Sequence, residues 1–195
     1  MTGGGHKFHI DRRAYLDSEE RRSYLDAKGI LRGFGIGPGM RIADVGAGTG
    51  FFALPAAELV GPRGHVYAAD LAPAMLGDLQ TKIADKRVPN VTAVRSSEDR
   101  IPLGDRSIDF AFLACVLHEL DGPGTLLECR RILKPQGRLG VVDWKKEDME
   151  YGPPKEHRLD EAQAKAILED AGLHPTRSFE AGPYHYAIEA RIQHA

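Results

Sequence analysis

RIADVGAGTGFF, from Arg41 to Phe52, is the stretch that decides the fold of this chain. It places three glycines, Gly46, Gly48 and Gly50, directly after a short apolar run. Glycine adds no side chain to a core and loses more backbone freedom on folding than any other residue, so packing alone does not favour it here. The pattern predicts a tight turn between a buried strand and a helix, where the backbone comes close to a ligand.

The composition is that of a soluble globular chain with one sizeable core. Of its 195 residues 42% are hydrophobic, which suits a single domain over 1–195. The net charge of -2 at pH 7 predicts no broad basic surface, so neither nucleic acid nor an anionic membrane is implied as a partner. No window approaches the roughly 20 apolar residues of a membrane span. The first residues also lack the apolar core of a signal peptide, so we expect a cytoplasmic protein.

The cysteines and the N-terminal histidines do not indicate a metal site. Cys115 and Cys129 are separated and lack C-x-x-C spacing, so we expect reduced structural thiols. His6, His9 and Asp11 are scattered in a polar terminus and make a poor set of metal ligands. The sequence therefore predicts that the site chemistry uses no metal.

Helix-type and strand-type patterns alternate along most of the chain. Apolar residues at helical spacing predict a first helix that begins near Asp17 or Ser18 and ends at the glycines of 35–39. Further apolar and β-branched runs predict strands, and the segments between most of them predict helices. The predicted strands are 41–45, 65–70, 91–96, 107–114, 138–144, 176–182 and 184–192, and the further helices are 51–60, 73–86, 124–133 and 160–172.

This alternation predicts a largely parallel sheet with helices on both faces, because consecutive parallel strands need crossover connections. The last two strands differ, since only a tight turn around Gly182 and Pro183 joins them. Strands joined so closely must run antiparallel. We therefore predict an α/β fold whose sheet is mostly parallel, with one antiparallel strand near its far edge.

The glycine stretch lies where such sheets bind ligands, at the carboxyl ends of the strands. Gly46 and Gly48 let the backbone approach a ligand, and Gly50 opens a helix whose exposed amides favour negative charge. Asp70 ends the second predicted strand, where a carboxylate can accept hydrogen bonds from a ribose diol. The pattern indicates a ligand that contains a nucleoside, and the alternative is that the glycines form only a tight connection.

The spacing of the glycines distinguishes between two such ligands. A dinucleotide-binding loop has the pattern G-x-G-x-x-G, but here Phe51 stands where its third glycine would be. Asp44 also lies two residues before the first glycine, where a carboxylate would repel a pyrophosphate and attract an ammonium group. Charge therefore favours S-adenosylmethionine over NAD.

The order of the motifs resembles a known family, the class I S-adenosylmethionine-dependent methyltransferases. The similarity is to the small type-11 members related to ubiquinone and menaquinone methyltransferases, and it extends from about Leu31 to Leu173. It implies a Rossmann-like, seven-stranded sheet with an antiparallel last strand. The motifs that carry it are ADVGAGTGFF, VYAADLAPAML, SSEDRIPLGDRSIDFAFLACVLHEL and LLECRRILKPQGRLGVVDW.

The resemblance also implies which positions contact the cofactor. The loop of 46–50 would contact the methionine and ribose parts, with Asp44 near the amino group and Asp70 at the ribose hydroxyls. Leu71 and Met75 would lie near the adenine. The positions implied are Asp44, Gly46, Ala47, Gly48, Gly50, Asp70, Leu71, Met75, Ser97, Glu98, Asp99, Leu113 and His118.

One departure from the family pattern affects the adenine contact. The family commonly has the sequence DAE where this chain has Ser96, Ser97 and Glu98. The contact to the adenine amino group is therefore open between Ser97, Glu98 and Asp99. Met75 has an alternative of its own, because a methionine at helical spacing is by default a core residue.

The residues after the fourth predicted strand are the candidates for catalysis. Leu113 lies near the end of that strand, and His118 with Glu119 follows, where the cofactor and the acceptor should meet. His118 and Glu119 are the first candidates for a general base if the acceptor is a hydroxyl or an activated carbon, whereas an amine or thiolate needs none. The alternative for His118 is a hydrogen-bonded structural role.

The acceptor is predicted only by class. No inserted domain separates the motifs, so its selection falls to the N-terminal 1–38, to the segment after the fourth strand and to the loop 145–159. With Tyr151, Pro153 and Pro154 this loop is expected to be apolar enough to shelter a small aromatic, quinone-like or other uncharged molecule. Two other hypotheses are an NAD-dependent oxidoreductase and a non-catalytic protein that binds S-adenosylmethionine. No heptad pattern sets an oligomeric state.

Overall fold

The computed structural model describes residues 9–193, in which seven strands form one sheet. The strand order is β3-β2-β1-β4-β5-β7-β6. Neighbouring strands are parallel from β3 to β5, whereas β7 runs antiparallel to both β5 and β6. The mostly parallel sheet with an antiparallel last strand is thus confirmed. The strands are β1 Arg41–Val45, β2 His65–Asp70, β3 Val91–Arg95, β4 Ile108–Ala114, β5 Leu133–Trp144, β6 Leu173–Glu180 and β7 His185–Ile192.

Helices cover both faces of the sheet, as predicted. One apolar cluster joins the sheet to α1, α2 and α3 and to Leu79 of α4, and the other joins it to α5 and α6. Short 3-10 turns are formed by Ile10–Asp17, Leu117–Glu119 and Lys155–His157. The helices are α1 Glu19–Tyr24, α2 Ala27–Gly33, α3 Ala53–Val60, α4 Pro73–Asp85, α5 Gly124–Ile132 and α6 Glu161–Asp170.

The first predicted helix is two helices, because the segment contains two capping residues. Ser18 accepts a hydrogen bond from the backbone of Arg21 and caps α1, while Asp26 accepts one from the backbone of Gly29 and caps α2. Between them Leu25 is extended, with φ -131°, and fully buried. A side chain that bonds the backbone in this way ends one helix and begins another, so the prediction of one continuous helix was wrong.

Two strands begin earlier than the sequence predicted. The strand β5 begins at Leu133 and includes the residues 134–137, which lie between the predicted helix 124–133 and the predicted strand 138–144. Its pairing with β4 is irregular there, because Ile108 pairs with Leu133 but Phe110 pairs with Arg138. The strand β6 begins at Leu173, since its first residue is buried against α6 and β7.

The centre of the sheet is packed with aromatic rings around a glycine of β5. The Phe34 ring lies 5.4 Å from that of Phe110 and 5.7 Å from that of Phe112. A Cβ atom at Gly140 would lie 2.4 Å from Cζ of Phe110 and 3.1 Å from Cε1 of Phe34. Gly140 is therefore needed for α2 to pack closely on the sheet.

We expect Gly140→Ala to destabilise the fold by about 1–3 kcal/mol, because the methyl group overpacks this aromatic cluster. Urea denaturation followed by circular dichroism measures the change. Gly77→Ala is the matched control, because Gly77 is exposed in α4 with no atom within 4 Å of an added Cβ. Alanine there should stabilise the fold by about 1 kcal/mol. Equal unfolding midpoints for Gly140→Ala and the wild type would contradict this account.

Candidate functional site

A cavity of about 770 Å³ opens at the carboxyl ends of the parallel strands. Its walls come from the ends of β1, β2, β4 and β5, as expected for a sheet of this kind. Further segments complete it: the N-terminal residues up to Arg21, the residues 96–99 after β3, residues after β4 up to Thr125, and the residues 150–154 after β5. The strand ends, the N-terminal segment and the loop after β5 thus meet around one space.

The glycine loop lines this cavity with Gly46, Ala47 and Gly48. Gly48 has φ +54°, a conformation that favours glycine, and the nearest atom to an added Cβ would be Cδ1 of Leu16 at 3.1 Å. Gly50 has φ +90° but faces α4, where an added Cβ would lie 2.5 Å from Cδ1 of Leu79. Gly50 therefore packs the loop against a helix and does not line the cavity.

Asp70 ties the glycine loop to the end of β2. Its Oδ2 accepts a hydrogen bond from the Gly48 amide at 2.7 Å, and its Oδ1 accepts one from the Ala72 amide at 2.8 Å. Burial raises the pKa of this carboxyl, while the hydrogen bonds from Ala72, Gly48 and Leu71 oppose the rise. Each carboxylate oxygen has a second lone pair, so Asp70 can still accept hydrogen bonds from hydroxyl groups in the cavity.

Asp44 is a buried carboxyl in the cavity wall, only 3% exposed. Burial, and then repulsion from Asp70, raises its pKa to about 7, against the opposing effects of Arg21 and of the Ala53 amide. Among residues 9–193 its Oδ2 finds no hydrogen-bond donor. A buried acceptor without a donor is costly, so this position suits a ligand that brings a donor or a positive charge.

The residues predicted for the adenine are brought together at the cavity, whereas Leu113, predicted where the cofactor and the acceptor meet, is not among its lining residues. Leu113 does not reach it, because successive side chains of a strand point to opposite faces and Leu113 is fully buried on the α5 and α6 face. Ala114, Cys115 and Val116 line the cavity beyond it. Those that do line it are Leu71, Met75, Ser97, Glu98 and Asp99.

His118 lines the cavity and is held from behind by Asp143. Its Nδ1 lies 2.7 Å from Oδ1 of Asp143, and its backbone amide donates to Oδ2 at 3.1 Å. Burial lowers the pKa of His118, but the carboxylates of Asp143 and Glu119 outweigh it and the pKa is raised. Oε1 of Glu119 is 3.7 Å from Nε2. An imidazole held through Nδ1 presents Nε2 as its proton-accepting atom.

The N-terminal segment contributes residues that the sequence analysis did not single out. Arg21 of α1 lines the cavity, is 7% exposed and lies 4.3 Å from the centroid of the Phe51 ring. The preceding 3-10 turn is tied to α4 by ion pairs, Arg13 with Asp78 and Asp17 with Lys82. The mixed charges of this segment are typical of an exposed helix, so no local signal in the sequence indicated that Arg21 is buried.

The loop after β5 is organised by one buried guanidinium, that of Arg158. It donates hydrogen bonds to the backbone carbonyls of Pro153 at 2.7 Å, Tyr151 at 2.8 Å and Glu147 at 2.9 Å. The loop also touches α1, where the rings of Tyr151 and Tyr24 are 4.9 Å apart. Arg158 thus holds the loop in place beside the cavity.

Neither a metal cluster nor a membrane span is found in the part of the chain that the structure describes. Its His, Cys, Asp and Glu side chains form no group of three or more that could hold a metal ion. His6, one of the residues considered for a metal site, lies outside the described range. None of the described helices combines the length and apolar character that a bilayer crossing requires.

Comparison with solved structures identifies relatives of this arrangement. A SAM-dependent methyltransferase from Aquifex aeolicus is 37% identical and has a TM-score of 0.91, with 94% of this chain and 98% of that chain covered. A putative type 11 methyltransferase from Sulfolobus solfataricus shares the fold, with a TM-score of 0.71, 24% identity and coverage of 88% and 94%.

Curated relatives are similar over part of their length. Ubiquinone/menaquinone biosynthesis C-methyltransferase UbiE of Shewanella frigidimarina is 31% identical over 162 residues, which are 80% of this chain and 61% of that protein. UbiE of Vibrio cholerae is 35% identical over 118 residues, which are 60% of this chain and 45% of that protein. The chain therefore spans between 45% and 61% of the length of these two relatives.

The sequence model of one family, described as a methyltransferase domain, matches residues 43–141. The matched region includes the glycine loop, Asp70 and the segment around His118. These comparisons support neither of the two alternative functions, oxidoreductase or non-catalytic binding protein. The chain belongs to the class I S-adenosylmethionine-dependent methyltransferases of type 11.

Proposed function

We propose that the protein transfers the methyl group of S-adenosylmethionine to a small-molecule acceptor. The observation that carries the proposal is the buried Asp44 carboxyl, whose Oδ2 has no donor among residues 9–193 and which lies in the same cavity wall as Gly48. We also propose that residues 1–195 act as one methyltransferase domain in the cytoplasm, with 1–38 forming part of the cover over the acceptor.

The residues of the cavity fit this cofactor. Asp44 offers a carboxylate to an ammonium group, and the backbone of Gly48 lines the same cavity. Asp70 is held with lone pairs available for two ribose hydroxyls. Leu71 and Met75 give an apolar wall for a base, whose amino group would meet Ser97, Glu98 or Asp99.

The chemistry that the cofactor supplies is a methyl group on a sulfonium, which is open to in-line displacement. The protein's part in such a reaction is to align the acceptor and exclude water. The loop held by Arg158 and the N-terminal segment serve this purpose, since both lie on the cavity. They enclose the space in front of His118.

His118 takes the role of general base in this proposal. Asp143 fixes the imidazole through Nδ1, which leaves Nε2 to accept a proton from the acceptor. Glu119 lies 3.7 Å from Nε2 and stabilises the imidazolium that forms. A base is needed when the acceptor atom is a hydroxyl or an activated carbon, and a thiolate makes it dispensable.

Aromatic side chains support a planar acceptor. Tyr15, Phe51, Trp144 and Tyr151 all line the cavity, and rings of this kind pack well on flat apolar molecules. The similarity to ubiquinone and menaquinone C-methyltransferases points to the same class. Because the net charge is only -2, no basic field favours a nucleic acid instead.

Release of S-adenosylhomocysteine across a panel of acceptors tests the proposal. We expect turnover with small phenols or quinols, because the aromatic walls suit them, and none with RNA or protein. The control is Asp70→Ala, which leaves Gly48 without its carboxylate partner and should bind the cofactor more weakly by about 1–3 kcal/mol. Turnover on RNA or protein alone would refute the small-molecule acceptor.

The affinity for S-adenosylmethionine should rise between pH 6 and pH 7.5. Only the ionised Asp44 attracts an ammonium group, and its pKa in the free protein is about 7. Protonation at the lower pH therefore weakens binding, by roughly eightfold over this interval. Calorimetry measures the affinity, and Asp44→Asn should bind weakly without the pH dependence. His118→Gln is the control that keeps it, and a pH-independent wild type would contradict this role of Asp44.

His118→Gln and Asp143→Asn should both lower kcat by about 100-fold with a hydroxyl or carbon acceptor. The cofactor affinity, measured by calorimetry, should change little. With a thiolate acceptor the same variants should retain their rate, because that reaction needs no proton acceptor. Equal losses with both kinds of acceptor would mean that His118 only positions its surroundings. In the wild type the rate should increase with pH as His118 loses its proton.

A further inference from the structure

Arg21 is a buried cation in the cavity wall that pairs with no carboxylate of the residues that the structure describes. Its guanidinium contacts the Leu16 carbonyl at 3.2 Å, the face of the Phe51 ring and the Cys115 thiol. Among residues 9–193 no carboxylate oxygen forms an ion pair with it. A guanidinium has five N–H donors, so this set leaves donors for a ligand.

Burial of such a charge is costly unless an anion compensates it. Asp44 lines the same cavity and also lacks a donor for Oδ2, yet the two side chains do not form an ion pair. Arg21 acts on Asp44 only through the longer-range attraction that opposes the rise in its pKa. The Arg21 cation and the Asp44 carboxyl therefore lie in the same cavity wall without forming an ion pair.

The guanidinium is held in place before any ligand arrives. The Arg21 amide is bonded to Ser18, the N-cap of α1, and the side chain lies on Phe51 next to the glycine loop. The ion pair of Asp17 with Lys82 fixes the residues just before α1 to α4. A preorganised cation of this kind loses little freedom on binding.

We propose that Arg21 binds the carboxylate of the amino-acid part of S-adenosylmethionine, while Asp44 binds its ammonium group. The planar fork of arginine suits a carboxylate, with which it forms paired, charge-assisted hydrogen bonds. The two residues together select a zwitterion. This rests on the proposed function, and it assigns a cofactor contact to the N-terminal segment, which lies outside the matched residues 43–141.

Calorimetry with two ligands tests the assignment. S-adenosylmethionine carries the carboxylate, and decarboxylated S-adenosylmethionine keeps the sulfonium and the ammonium group but lacks it. We expect Arg21→Gln to lower the affinity for the first ligand by about 10- to 100-fold and to leave the second within about twofold. Arg21→Lys should recover part of the loss, because it restores the charge without the fork.

Arg22→Gln is the matched control. Arg22 is the next residue of α1, is exposed and lies 5.6 Å from the same Phe51 ring, so both affinities should stay at the wild-type value. Thermal melting verifies that each variant is folded. If Arg21→Gln weakens both ligands equally, Arg21 supports the structure and the proposal is overturned.

Two further outcomes also overturn it. An unchanged affinity of Arg21→Gln for S-adenosylmethionine would remove the carboxylate contact. A raised KM for an anionic acceptor, with cofactor affinity unchanged, would assign the cation to the acceptor instead. Failure of the proposed function looks different, because the wild-type protein would then bind S-adenosylmethionine without releasing S-adenosylhomocysteine on any acceptor, or would not bind it.

Discussion

The hydrogen bond from the Gly48 amide to Asp70 is the contact on which the site depends. It joins the turn after β1 to the end of β2 at 2.7 Å, while the amides of Gly46 and Ala47 donate to the Ala69 carbonyl of the same strand. The loop is therefore fixed at three points before a ligand is present. Gly48 can then expose its backbone to the cavity, because the loop needs no ligand to keep its shape.

Around this loop the protein keeps charges that are not compensated within the wall. Among residues 9–193 Oδ2 of Asp44 has no donor and Arg21 has no carboxylate partner, whereas His118 pairs with Asp143 and lies near Glu119. The arrangements at Asp44 and Arg21 cost folding free energy, since buried charges are stable only with partners. Such groups cluster where a ligand completes them, which is why perturbed pKa values at Asp44 and His118 mark the same cavity as the glycines.

The local sequence pattern was enough to predict the mostly parallel sheet and the part of the site that its strand ends form. The glycine loop and Asp70 could be recognised in the sequence, because backbone conformation and strand ends depend on near neighbours in the chain. Strand alternation also places Leu113 on the face covered by α5 and α6, away from the cavity. No local signal indicated that Arg21 and Arg158 are buried, since the charged segments around them resemble solvated surface and only tertiary packing buries them.

The two buried arginines lie in the two segments beside the cavity that are outside the matched family region. The matched family region ends at residue 141, while Arg21 lies before it and Arg158 after it. One arginine comes from the segment over the glycine loop, and the other holds the loop beside His118. These two segments meet where the rings of Tyr24 and Tyr151 pack together, with centroids 4.9 Å apart. In the proposed function the segment of Arg21 reaches the cofactor and the loop of Arg158 the acceptor, so a change in this loop alters the acceptor space while the hydrogen bond between Gly48 and Asp70 stays as it is.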